Sequence, residues 1–140
     1  MTDFVIDANV LMSILISGKA GYRPILTFNN FILPEFALIE VEKYKDILKD
    51  KTKMSEIQFI DWTYFVFAQL TILPQYVLEQ TILDKAERLL EKIDLKDISY
   101  VALAMQLDLL LLTRDNPLYE GLRKQGFRKV MLFEDFLRTL

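Results

Sequence analysis

The stretch FVIDANVLM, residues 4 to 12, ends an apolar run on a carboxylate: Phe4, Val5 and Ile6 read as a buried strand that closes on Asp7. Asp115 follows a second apolar run, LLLLT at residues 109 to 113, and Asp97 opens the helix leading into that run. Glu40 lies on the stripe of a helix otherwise occupied by Leu and Val. A carboxylate taken out of water is costly unless something compensates it. Four that converge without His or Lys partners repel one another and raise their own pKa values, unless a divalent cation neutralises them. A hard, oxygen-seeking ion fits such a set, which points to Mg²⁺ or Mn²⁺.

Each acid also has a structural reading. Asp7 and Asp97 can cap the helices that follow them by accepting from free backbone N–H groups. In TRDNP, Asn116 is the better cap, with Pro117 at the first helical position, which leaves Asp115 for other work. Glu40 can pair with Tyr44 or Lys43 on the surface. The joint arrangement, more than any single residue, favours a site.

Composition narrows the chemistry further. The 140 residues contain no cysteine and no histidine, which removes disulfides, thiolate zinc sites, cysteine nucleophiles and the commonest general base. Chemistry here has to run on carboxylates, hydroxyls, amines or a hard cation. The net charge of −3 argues against holding nucleic acid by bulk electrostatics, yet it leaves room for a metal-dependent nuclease whose cations offset an acidic pocket. The start of the chain lacks the regions of a signal peptide, and no uncharged apolar run approaches ~18 residues, so a cytoplasmic protein with no membrane association is expected.

The elements that must position these acids follow from periodicity. Residues 3 to 6 form a first strand and Asn9 to Ile16 a short helix stopped at Gly18. GYRPIL starts another short helix, and NNFILPEF holds a second strand. From Glu35 to Lys49 the residues Phe36, Leu38, Ile39, Val41, Tyr44, Ile47 and Leu48 recur near helical period. Ser55 with Gln58 has the spacing of a capping box for a helix over 56 to 68. LTILP is strand-like, 75 to 91 and 97 to 107 are helical, 109 to 113 is a strand, 117 to 125 is a helix, and KVMLF is a last strand before a C-terminal helix. The run FIDWTYFVF reads as helix core, with a dimer face or a groove for a partner's helix as the alternative. Strands alternating with helices give an α/β protein, a three-layer α/β/α sandwich around a parallel sheet, within one domain spanning 1–140. Ligands of such folds collect beyond the carboxyl ends of the strands.

These residues resemble the PIN domain, a family of metal-dependent nucleases that includes the toxins of VapBC-type toxin–antitoxin systems. VIDANVL is similar to the family's opening strand with its first metal-binding Asp, here Asp7. LPEFALIEVEKYKDIL is similar to the segment carrying an acidic Glu, here Glu40, with Glu35 and Glu42 as alternatives if the helix phase differs. DLKDISYVALAMQLDLLLLTRDNPL resembles the region in which an Asp opens a helix and a strand ends in Thr-x-Asp, which maps onto Asp97, Asp115 and the hydroxyl of Thr113. Within that match, Asp94 is an outer or additional ligand, and Asn9 and Ser99 are hydrogen-bonding groups behind the ligands.

The resemblance implies a PIN-like fold and hydrolysis of RNA phosphodiester bonds by a metal-activated water. It also implies an endoribonuclease that acts as a toxin, with an antitoxin partner and a homodimeric state. Lys19, Arg23 and Arg114 are candidate phosphate contacts, and Tyr22, Tyr100 and Tyr119 are candidate base-stacking or packing residues. A catalytically silent PIN-like module for interaction or RNA binding is the alternative. A phosphoacceptor receiver domain fits less well, since Asp7 is followed by Ala8 and Asn9 rather than a paired acid. A D-x-D phosphatase fails at the same Asn9.

Overall fold

Phe4, Val5 and Ile6 do close a strand. In the computed structural model, which describes residues 2–140, β1 (Thr2–Ile6) ends at Ile6 and Asp7 caps α1 (Ala8–Ser17). The chain continues through α2 (Tyr22–Phe28), β2 (Asn29–Pro34), α3 (Phe36–Lys43), α4 (Lys45–Lys51), α5 (Glu56–Ala68) and β3 (Leu70–Leu73). It then runs through α6 (Gln80–Leu90), α7 (Ile98–Leu107), β4 (Leu111–Thr113), α8 (Asn116–Lys124), β5 (Val130–Leu132) and α9 (Phe133–Arg138), with 3₁₀ turns at Gln75–Val77 and Leu95–Asp97.

Every strand pair is parallel, in the order β3-β2-β1-β4-β5. From β1 the chain steps outward to β2 and β3, then crosses back over the sheet to β4 and on to β5. Right-handed crossovers therefore put α1 to α5 on one face and α6 to α8 on the other, which gives the three-layer α/β/α sandwich expected from the alternation. α7 packs on β1, β2 and β4 beneath α6, and Ser99 to Ala104 are all buried. That position explains why the helix carries almost no polar stripe. Between β1 and β4 the strand order reverses, and the crevice beyond their carboxyl ends is where such sheets place ligands.

Beyond shifts of one residue at element ends, the structure departs from the periodic reading in four places. The helix expected over 35 to 49 is broken at Tyr44, whose φ of −101° and ψ of 13° separate α3 from α4. The apolar positions 37, 41, 44 and 48 keep one phase through the break, so periodicity sees a single helix. Residues 75 to 77 form a 3₁₀ turn, and α6 begins only at Gln80. Leu109 belongs to the end of α7 rather than to β4: Asp108 is left-handed at φ 54°, and the Leu109 N–H bonds back to the Ala104 carbonyl at 3.0 Å. That is a Schellman closure. Around 115 and 116 the cap is the reverse of expectation, because Asp115 caps α8 and Asn116 is its first residue.

The capping box of α5 is present, with the Gln58 N–H on the Ser55 hydroxyl and the Ser55 N–H on Gln58 Oε1. On that helix Phe59, Trp62 and Val66 are buried, and the Trp62 indole N–H reaches the Ile14 carbonyl at 2.9 Å, which ties α5 to α1. Gly18 closes α1 at φ +57°, and a Cβ there would stand 2.3 Å from Met54 Sδ. Gly18→Ala is expected to lower stability by about 1–2 kcal/mol through left-handed strain and displacement of Met54, read as a shift in the urea midpoint with an unchanged slope.

Candidate active site

Asp7 is 2% exposed at the tip of the central strand. Its Oδ1 accepts from the Val10 N–H at 3.0 Å, and its Oδ2 accepts from the Thr113 hydroxyl at 2.5 Å. Thr113 is the last residue of β4, so this bond joins the two strands that flank the reversal of strand order. The same hydroxyl oxygen accepts from the Asp115 N–H at 3.0 Å, and Asp115 Oδ1 in turn accepts from the Leu118 N–H at 3.1 Å. Burial pushes the Asp7 carboxyl up to about 6 against the lowering effect of its two hydrogen bonds, with the charges of Asp115 and Glu40 adding to the rise.

Asp97 precedes α7 but makes no capping bond with its side chain, contrary to its structural reading. Instead, among the described residues, its Oδ2 is buried without any hydrogen-bond partner. Burial is the main cause that pushes its carboxyl up to about 7, followed by the charge of Asp7, while Lys96 draws it back down. A buried, unpartnered carboxylate oxygen is expensive enough that native structures rarely keep one without a use.

The three glutamates of the α3 region separate clearly. Glu35 Oε1 accepts from the Gln75 N–H at 2.6 Å and ties α3 to the turn after β3. Glu42 pairs with Lys45 on the surface at 3.1 Å. Glu40 alone of the three faces the acids, where its Oε1 accepts from the Tyr100 hydroxyl.

Asp7, Glu40 and Asp97 form one end of a cleft of about 700 Å³. From there the cleft extends along α1, past Asn9, Met12 and Ile16, against Ile39, Tyr44 and Ile47 of α3 and α4. Lys43 and Lys51 stand along it, and Arg114 and Lys96 stand with the acids. Lys96 pairs with Asp94 at 3.6 Å; its ammonium is held above its ordinary pKa first by Asp97 and then by Asp94. Arg114 makes no ion pair among the described residues.

Other candidates lie elsewhere. Lys19 and Arg23 follow α1, which runs from the acids towards the opposite edge of the sheet, and Arg23 lies 4.4 Å from the centre of the Phe65 ring. Neither lines the cleft. Ser99 is buried, accepts from Gln75 Nε2 at 3.1 Å and does not line the cleft. Asp94 caps the turn before Asp97 through the Lys96 N–H at 3.0 Å. Of the tyrosines, Tyr22 stacks on Phe133, Tyr119 lies beside the Arg123 guanidinium, and Tyr100 belongs to the cleft wall. Sequence reasoning passed over Lys96 and Lys51 and took Lys43 only as a surface partner for Glu40. The signal for Lys96 was present, since it precedes Asp97 as Arg114 precedes Asp115.

Among the described residues no three of these acids stand close enough to hold one ion as their side chains lie. The donor set nonetheless fits a hard dication. All four donors are carboxylates, the carboxyls of Asp7 and Asp97 are raised by burial and by the charges around them, and among the described residues Asp97 Oδ2 is a buried donor with no hydrogen-bond partner.

A parallel sheet with carboxylates gathered where its strand order reverses defines an α/β protein with an acidic centre. More particularly, the chain belongs to the PIN domain family, whose model matches residues 5–134. PIN domains are generally nucleases. The crystal structure of PAE2754 from Pyrobaculum aerophilum is similar in fold, with a TM-score of 0.64 over 99% of this chain and 88% of that one at 16% identity. No curated protein matches the sequence. Among the described residues no helix is long and apolar enough to cross a membrane.

The raised carboxyls make stability depend on pH. As pH rises from the ordinary carboxyl value of 3.8 to about 7, folded protein keeps protons on Asp7 and Asp97 that the unfolded chain has released, so metal-free stability falls across that window. Asp97→Asn is expected to flatten this fall and to stabilise the metal-free protein at pH 7.5 by about 1–2 kcal/mol, after allowance for solvent screening. Denaturant melts at pH 4.5 and 7.5 in the presence of a chelator check it.

Proposed function

We propose that this protein is a Mg²⁺- or Mn²⁺-dependent endoribonuclease. The observation that carries the reading is the unpartnered Oδ2 of Asp97, beside Asp7 and Glu40 at the end of a cleft that also presents Arg114 and Lys96. Asp97, Asp7 and Asp115 are the residues to hold the ion, with Glu40 in contact directly or through water. When bound, the ion supplies Lewis acidity, acidifying water and offsetting phosphate charge.

The chain's own residues account for the rest of the chemistry. The Thr113 hydroxyl fixes the orientation of Asp7, and the Leu118 N–H fixes that of Asp115. Arg114 and Lys96 are placed to hold the non-bridging oxygens of the scissile phosphate, Arg114 as a planar fork without a competing carboxylate partner. Glu40 orients the incoming water and takes its proton as oxygen adds to phosphorus; the P–O bond to the leaving ribose oxygen breaks, that oxygen takes a proton from solvent water, and Glu40 returns its own proton to solvent. The arm of the cleft along α1 carries the flanking strand, with Lys43 and Lys51 as further phosphate contacts.

A toxin role, an antitoxin partner and cytoplasmic action are supported by the resemblance of VIDANVL and TRDNPL to the toxins of VapBC-type systems. The arm of the cleft lined by Ile39 and Ile47 between lysines suits an acidic amphipathic segment of such a partner. A homodimer is supported by Ile57, Ile60 and Tyr64, which α5 leaves exposed.

The test is cleavage of an unstructured RNA oligonucleotide in Mn²⁺, with calorimetry of Mn²⁺ on the same samples. Asp7→Asn and Asp97→Asn are each expected to lose on the order of a hundredfold or more in kcat, in step with a loss of Mn²⁺ binding. Native protein that neither binds Mn²⁺ nor cleaves would leave the silent-module reading. Arg114→Ala is expected to raise KM for the same RNA by about tenfold while Mn²⁺ binding is unchanged.

A further inference from the structure

Tyr100 sits on α7 one turn after Asp97, and Glu40 sits on α3 one turn after Phe36. The two helices meet through these residues. The Tyr100 hydroxyl donates to Glu40 Oε1, and the Tyr100 ring, 1% exposed, lies 6.3 Å from that of Phe36. Spacings of three and four residues put each pair on one helix face, so the Phe36–Tyr100 contact and the Tyr100–Glu40 bond form one connected wall of the cleft. A buried phenol needs an acceptor, but the acceptor here is the one glutamate of α3 that faces the acids. Glu35 and Glu42 are engaged elsewhere.

A glutamate half-exposed at a cleft wall has three side-chain torsions to settle. With Oε1 held by a rigid, buried hydroxyl, the carboxylate plane is set and Oε2 is the oxygen left for water. We propose that Tyr100 is the positioning residue for Glu40, fixing one carboxylate oxygen so that the other orients the attacking water. This inference rests on the nuclease reading and assigns Glu40 to the water rather than to holding the ion.

Tyr100→Phe tests it, since the ring is kept and only the hydroxyl is lost. The expected result is a fall in kcat of about 10- to 100-fold, the range for losing one hydrogen bond to a charged group, with KM and calorimetric Mn²⁺ affinity within about threefold of native. Placed in a Glu40→Gln background, the same substitution is expected to cost nothing further, because Tyr100 acts only through Glu40. Glu40→Asp keeps the charge but ends one methylene short of the hydroxyl, leaves the core untouched, and is expected to lose kcat to the same extent as Tyr100→Phe.

Native kcat in Tyr100→Phe or in Glu40→Asp, or an additive loss in the double variant, overturns the assignment while leaving the nuclease reading intact. A Tyr100→Phe protein that loses Mn²⁺ affinity in proportion to kcat overturns it as well, because Glu40 would then be holding the ion. Native protein without Mn²⁺-dependent cleavage overturns both.

Discussion

The Asp7–Thr113 hydrogen bond is the constraint from which the site is built. It joins the tip of β1 to the tip of β4 at the point where the sheet reverses its strand order. Parallel pairing brings Ile6 level with Leu112, which leaves Asp7 and Thr113 as the next residues out, with the Asp7 N–H on the Leu112 carbonyl at 3.3 Å. Had the register slipped by one residue, the side chains would alternate to the wrong faces and the acid would enter the core. Strand register, set by apolar packing of Val5, Ile6, Leu111 and Leu112, is therefore also the register of the acids.

The acids differ in what they are bound to, and the difference separates structure from chemistry. Asp7 and Asp115 each give one oxygen to a helix N-terminus, where the free N–H groups and the helix dipole stabilise negative charge. Each is a cap and also a member of the acidic cluster, so a capping role does not take such a residue out of the cluster. Asp97 has no such compensation for its Oδ2. The centre as a whole is electrostatically frustrated, and a fold selected only for stability would replace Asp97 with its isosteric amide. Lys96 and Arg114 stand beside it in the cleft, so the uncompensated carboxylate and two basic side chains share one end of the same space.

Strand and helix order was legible because apolar periodicity and turn residues are local properties. Three acids at the strand-end edge, Asp7, Asp97 and Asp115, followed from that order and the rule on where parallel sheets bind ligands, while Glu40 came from the stripe of its helix. Phase favoured Glu40 over Glu35 and Glu42 without deciding among them, and it is the structure that turns Glu40 towards the other acids. What failed to show was anything decided between elements. The break at Tyr44 carries no Gly or Pro to announce it. The cap at Asp115 depends on a Thr113 side chain that is committed to another strand. Lys19 and Arg23 follow a helix whose length carries them about 15 Å from its start, away from the acids they were expected to serve.

The placement of cations shows the same division. Composition alone, with a net charge of −3, speaks against affinity for a polyanion. The structure distributes that charge unevenly. Among the residues lining the cleft are three acids at one end and four cations, Arg114, Lys96, Lys43 and Lys51, in and along it. A cation at the acidic end would offset those three carboxylates and leave the four basic side chains of the cleft unopposed within it. Net charge averages over that arrangement. The packing of α1 against α3 and α4 sets where along the cleft those acids and lysines stand, so the arrangement is a property of the fold that no sum over the sequence contains.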